Sequence, residues 1–383
     1  MPIETPEEFS EWLEEQPHET CLLIAVRAAL RVFPIAIHTY KVGAENERVA
    51  LLIARALLTA GVASVLKSRA ISLASKAAEN AADQGADASH EAGMATISAV
   101  TAASSTSSSR IAEANFAVEY SIDATLNVTR LENNATREKS AQVTRTAAYS
   151  DAEIPFTSLL KIPVWHEPEE PDWLATYLKS SIRLLESGSN WPFWREWYQG
   201  FVDGNPMDWE LQRRVALIAD PIWEVGPEAV SEEIERIRAH YTLEREIARL
   251  KKQLRSSATL EANADRLHNQ PPVAIEDEAK AAGNEIKLIW DELVELEAEI
   301  AKPEPSPGKL RQIAQALWDV SVRIGKYCGS VADIVIKESA KELGKTGTKV
   351  TVAALAATTA AQNESIQSVA RAIWNFVKTL PPG

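Results

Sequence analysis

The sequence predicts an all-α fold. Three observations predict it: the placement of proline, the helical spacing of apolar residues, and the scarcity of strand patterns. No proline occurs between Pro34 and Pro155, whereas eight fall from Pro155 to Pro227. Proline inside a helix removes a donor and clashes with the preceding turn, so long gaps permit helices and clusters mark short elements. Apolar residues recur three and four apart over much of the chain, and few runs alternate at every second position. The expected architecture is a helical array, a small Trp-rich helical domain and an antiparallel coiled-coil-like bundle. Helix should exceed roughly 60% of residues, against the usual third.

The elements follow in order. Thr5, Pro6 and Glu8 form a capping-box start for a first helix that ends at Pro17. Leu22, Leu23, Val26, Leu30 and Phe33 then give a second helix that should stop near Pro34. From Val49 to Leu66 runs an apolar stretch of eighteen residues. Arg55 within it favours a packed core helix over a membrane span. Between Ala70 and Ala103, thirteen of 34 residues are alanine. Such helices approach closely but bury a thin stripe. A break is expected at the serine run from Ser104 to Ser109.

The segment from Pro163 to Gly226 is different material, with seven of the eleven tryptophans. Asn190, Asp203-Gly204, Asn205-Pro206 and Asp220-Pro221 punctuate it as four or five short helices around an aromatic core, an independent small domain. After Pro227 the spacing becomes heptad-like. Val230, Ile234, Ile237 and Tyr241 step regularly, and Leu243, Ile247, Leu250 and Leu254 resume after a phase slip. Ala282 to Ile300 and Leu310 to Ile334 continue the pattern, with turns at 269–272 and 303–307. These helices read as an antiparallel bundle, although seams of this kind also pair between chains. The expected domains are 1–69, 70–154, 155–227, 228–302 and 303–383.

Composition excludes several functions. A net charge of −14 over 383 residues disfavours duplex nucleic acid as the main partner. Two cysteines, Cys21 and Cys328, support neither a disulfide framework nor a cysteine zinc site. Seven glutamates and no cation through Glu19 are the wrong chemistry for an export signal. The expected location is therefore cytoplasmic, with a peripheral place at the inner membrane as a variant.

Reactive constellations are scarce in the sequence. The six histidines lack zinc-hydrolase spacing, and His166 in its glutamate-rich run reads as a solvated linker sooner than a metal site. Gly344-Lys345-Thr346 resembles the end of a phosphate loop, but Ser339 stands where the first glycine is needed and no strand precedes it. Ser158 and Lys161 have serine-lysine spacing without companion motifs. The expectation is no cofactor, no metal and no catalytic residue.

Two surfaces are candidates for contact. Trp194, Trp197, Tyr198 and Phe201 share one helical face, and Trp374 lies on the last apolar face. Their rings form either a core or an interface anchor. Lys337, Lys341, Lys345 and Lys349 are candidates for an anionic surface. Residues 302–383 carry eleven basic against six acidic side chains, so +5 there leaves −19 for the rest.

The run Trp194-Arg195-Glu196-Trp197-Tyr198-Gln199-Gly200, followed by Asp208-Trp209-Glu210-Leu211 and Trp223-Glu224-Val225-Gly226-Pro227, resembles a recurrent Trp-rich segment of uncharacterised bacterial proteins. In those proteins alanine-rich helical repeats precede the segment. The resemblance implies bacterial origin and modular organisation, and it carries over no catalytic residue. The function expected is a non-enzymatic scaffold that self-associates through protein contacts. The alternative is a membrane-associating effector using the basic C-terminal helices or the helix at 49–66.

Overall fold

The computed structural model describes residues 3–39, 44–85, 91–104, 109–130, 133–165, 190–264, 273–339 and 346–381. It is 84% helical, with fifteen helices and no strand among the described residues. The chain divides into two compact units, 1–234 and 235–383, rather than the five expected domains.

The first unit is built round α2 (His18–Thr39), which packs against α3 (Ala44–Val65), α5 (Glu91–Ser104), α6 (Ser109–Val128) and α7 (Asn134–Ala152). From Cys21 to Ile37 every residue of α2 is buried, Pro34 included. A helix apolar all round belongs in a core. That burial corrects the expected stop at Pro34: α2 continues through it to Thr39. Ile35, Ala36 and Ile37 are buried beyond the proline, and their burial offsets the helix bond it cannot donate. The capping box is present on α1 (Pro6–Glu14), whose Phe9 and Leu13 face inward.

The sheathing helices α4 (Arg69–Gly85), α5 and α6 use alanine as the contact residue. Ala78, Ala82, Ala95, Ala99, Ala114 and Ala117 are all buried at or below 1%. Close approach also buries hydroxyls, and these are satisfied along their own helices. Ser75 donates to the Ile71 carbonyl at 3.0 Å and Thr125 to that of Ser121 at 3.0 Å. Thr125 and Thr144 share a 3.0 Å hydroxyl contact between α6 and α7. The expected break at the serine run lies outside the described residues between Ser104, where α5 ends, and Ser109, where α6 starts.

A short α8 (Phe156–Leu159) leads into a non-helical stretch ending at Trp165. Then α9 (Pro192–Val202), α10 (Trp209–Ala216) and α11 (Asp220–Val225) carry the tryptophans. This segment is part of the first unit and not an independent domain. Phe33 of α2 lies 5.8 Å from Trp197 and 5.3 Å from Tyr198, between ring centroids. Three short helices have too little interior of their own to bury so many rings, so these use the bundle.

The unit boundary falls within α12 (Pro227–Ala264). In the second unit α12, α13 (Val273–Ile300), α14 (Pro307–Ser339) and α15 (Thr346–Thr379) share one core. Leu243, Ile247, Leu250 and Leu254 meet Ile289, Leu293, Leu296 and Ile300, with Leu310, Ile313, Leu317 and Val320. The C-terminal region is not separate from this bundle. Ile366, Val369, Ile373 and Phe376 of α15 belong to the same core. The turn between α13 and α14 is tied by Glu299, which accepts from Lys302 Nζ at 2.6 Å and from the Ser306 N–H at 2.8 Å. The Lys302 ammonium, with the Ser306 amide, holds that carboxyl below its ordinary value.

Beyond α9, Gly204 adopts φ +69, and a Cβ there would sit 2.6 Å from the Pro163 nitrogen. Both the left-handed conformation and the backbone contact demand glycine. Gly204→Ala is expected to cost about 1–3 kcal/mol or more, read as a lowered denaturation midpoint with α-helical content retained. An unchanged midpoint would mean that this approach of chain segments is not as drawn.

Candidate functional site

The aromatic cluster is assembled from three short helices whose starts are set locally. Pro192 opens α9, and Asp208 caps α10 by accepting from the Glu210 N–H at 2.9 Å. Trp194 then meets Phe193 at 5.2 Å, Trp197 at 5.8 Å and Trp223 at 6.4 Å between centroids. Trp197 meets Phe201 at 5.4 Å, and Phe201 meets Trp209 at 6.0 Å. Most of these pairs are edge-to-face, the arrangement that ring quadrupoles favour. The Trp197 indole N–H donates to Gln212 Oε1 at 2.8 Å, and the Gln212 amide donates to the Met207 carbonyl at 2.7 Å. Trp223 donates to the Ile218 carbonyl at 3.0 Å.

These distances correct the interface assignment. Trp194 and Trp197 are fully buried and Tyr198 and Phe201 nearly so, which makes the four side chains core. Trp374 is only partly buried. It packs on the second unit's core, 5.4 Å from Trp318 between centroids. Lys341 and Lys345 lie outside the described residues, as do the side chains of Lys337 and Lys349. His166 lies outside them too, and the described residues contain no group of three metal-ligating side chains. Ser158 and Lys161 are both exposed on the α8 segment.

A second constellation was not singled out by sequence reasoning. Arg27 and Arg31, one turn apart on α2, are exposed by 1% or less and both bind Asp151 of α7. Arg27 Nε donates to Asp151 Oδ1 at 3.0 Å, and Arg31 Nη2 to Oδ2 at 2.7 Å. Other donors go to main chain. Arg27 reaches the carbonyls of Leu159 at 2.9 Å, Ile162 at 3.2 Å and Pro163 at 2.7 Å. Arg31 reaches Val164 at 2.9 Å and Ala147 at 3.1 Å. Burial pulls the Arg31 guanidinium below its ordinary value, and Asp151 opposes that pull. Two arginines spaced four apart inside an apolar run are a sequence signal, since arginine is almost never fully buried unless paired.

Arg55 of α3 is a third buried cation among the described residues. It pairs with Asp220 of α11, and its guanidinium lies 4.7 Å from the Trp223 ring centroid. On α10, Glu210 accepts from Arg213 Nε at 2.7 Å and from Arg214 Nε at 3.0 Å. The Arg213 guanidinium, with Arg214, holds the Glu210 carboxyl down to about 2.

Fold and site together define an all-α protein of two helical units, with a filled aromatic cluster and a buried arginine pair in the first. Comparison with known proteins adds no relative: no family model, no curated protein and no solved structure matches the chain. The resemblance of the Trp-rich segment to a bacterial family draws no support from these comparisons.

Trp194→Ala is expected to cost about 3–5 kcal/mol in chemical denaturation, the range for emptying a packed ring site. A folded variant at parental stability would return Trp194 to the interface reading. Glu210 also predicts a pH effect. Its folded value is depressed, so its contribution is present above the ordinary 4.5 and is lost as pH falls towards 2. Glu210→Gln should therefore lose less stability than the parent across that window, measured by urea unfolding at stepped pH.

Proposed function

We propose that the chain is a non-enzymatic helical assembly protein that acts through protein contacts and associates with itself. The observation that supports this best is on the outside of the second unit. Leu288 and Val294 of α13 are each 49% exposed and Val322 of α14 is 43% exposed. The described seams of these helices are already filled from within the chain, so association would use this outer surface. Large apolar side chains there cost solvation that a partner would recover.

Charge modulates such contacts in a salt-sensitive way. Residues 1–234 carry nineteen basic against thirty-four acidic side chains, and 235–383 carry twenty-one against twenty. The unit boundary thus separates −15 from +1. Between copies, an acidic unit and a near-neutral one approach with less repulsion than two acidic ones. Trp197, Trp223 and the buried arginines bond to side chains and main chain of the first unit, while the indole N–H groups of Trp191 and Trp194 are buried without a hydrogen-bond partner among the described residues.

The membrane-associating alternative draws on α2 and α3, which are both long and apolar enough to cross a bilayer by length and composition. Arg27, Arg31 and Arg55 weigh against it. Each would cost about 2.5–3.5 kcal/mol near a bilayer centre, while in the first unit each has a carboxylate partner. The alternative based on the basic C-terminal helices rests on lysines outside the described residues.

Sedimentation of the full chain at low and high salt tests the assembly reading. The parent should associate at micromolar concentration, and Leu288→Glu with Val322→Glu should shift it towards monomer at unchanged helicity. A strict monomer at both salts ends the proposal. Association that vanishes only at high salt would assign the contact to charge.

A further inference from the structure

The seven residues from Leu159 to Trp165 form a strap between two parts of the first unit. On one side, four carbonyls of the strap, those of Leu159, Ile162, Pro163 and Val164, are taken by Arg27 and Arg31. On the other side, the Val164 N–H donates to the Phe201 carbonyl at 3.1 Å. Gly204 lies so close that an added Cβ would be 2.8 Å from the Ile162 carbonyl carbon. Leu159, Val164 and Trp165 are buried. The strap is therefore held to α2 by arginine side chains and to the end of α9 by backbone.

We propose that this strap is a releasable latch. Its opening frees the tryptophan cluster of α9–α11 from α2, α3 and α4 while the helices α2–α7 stay folded. The latch has the character of one cooperative unit. The same two guanidiniums bind every strap carbonyl named above and share a single carboxylate, so the contacts cannot be lost one by one without stranding a buried charge. Among the described residues two cations share one carboxylate, and Arg31 Nη1 has no hydrogen-bond partner there. The closed state is thereby held with less surplus than an apolar seam of similar size.

What the latch would release is coherent in itself. The rings of Trp194, Trp197, Phe201, Trp209 and Trp223 contact one another, so the cluster retains partners after leaving α2. Its described links to the bundle other than the strap are Phe33 against Trp197 and Tyr198, Arg55 against Asp220 and Trp223, Gly61, whose added Cβ would be 4.0 Å from the Trp209 ring, and the packing of α10 along α3 and the edge of α4. Supersecondary segments of this kind can leave a domain together, at a free energy below that of global unfolding.

Native-state hydrogen exchange on the full chain, followed by mass spectrometry of peptides, tests this. Amides of 159–165 and of α9–α11 should share one protection level, below that of α2, α5 and α6. Asp151→Asn should raise the opening equilibrium of both segments together by roughly a hundredfold or more, as expected when a buried ion pair loses one partner. Should that variant fail to fold, Arg31→Lys keeps the charge and removes the fork, and the joint rise should persist at smaller size. Exchange of the strap only together with α2, α5 and α6 in the parent protein would overturn the latch. A rise confined to the strap, with α9–α11 unchanged, would overturn the coupling to the cluster.

Discussion

Burying two guanidiniums on one turn of α2 constrains the rest of the first unit. A guanidinium carries five N–H donors and keeps its charge, so removing it from water is tolerable only where acceptors converge on it. Arg27 and Arg31 obtain those acceptors from Asp151 at the end of α7 and from a strap about 130 residues away in sequence. The path of the chain after α7 follows from that need. The strap must run where its carbonyls meet α2.

The two units solve the problem of a helical core in different ways. In the first, α4–α6 approach on alanine, and the hydroxyls that close approach buries are bonded to the preceding turn of their own helices. Small side chains give little apolar area each, so much of the apolar burial comes from α2 and α3 and from the aromatic cluster. In the second, leucine, isoleucine and valine at three-four spacing fill a seam between four helices. There the polar work falls on the turns, as with Glu299, and on exposed pairs such as Arg323 with Glu285 at 3.0 Å.

The aromatic cluster shows why residue type alone is a poor guide to a site. Tryptophans at helical spacing suit both a hot spot and a core. The arbiter is the fate of the indole N–H and the ring edges. Here Gln212 accepts from Trp197 while itself donating to the chain, and Trp223 is capped by a carbonyl and covered by Arg55. Rings engaged on edge, face and polar tip are structural. The large apolar side chains that stay exposed, among them Val225 at the end of α11, Phe116 of α6 and Leu288 of α13, lie outside this ring cluster.

The amino-acid sequence by itself determined the helical class, the capping box of the first helix, the change of material near Pro163 and Pro227, and the turn at 303–307. Each of these rests on interactions within a few residues, namely caps, proline sterics and helical periodicity. Only the tertiary structure decided that α2 runs through Pro34, that five expected domains are two units, and that α15 closes the bundle. It alone placed Trp194 and Trp197 in a core. The physical reason is range. Burial of Ile35 to Ile37, the meeting of Arg27 with Asp151, and the seating of Phe33 against Trp197 each join residues whose pairing no local pattern encodes. Arginines in an apolar helix announce that an acceptor exists, and the fold alone says where it is.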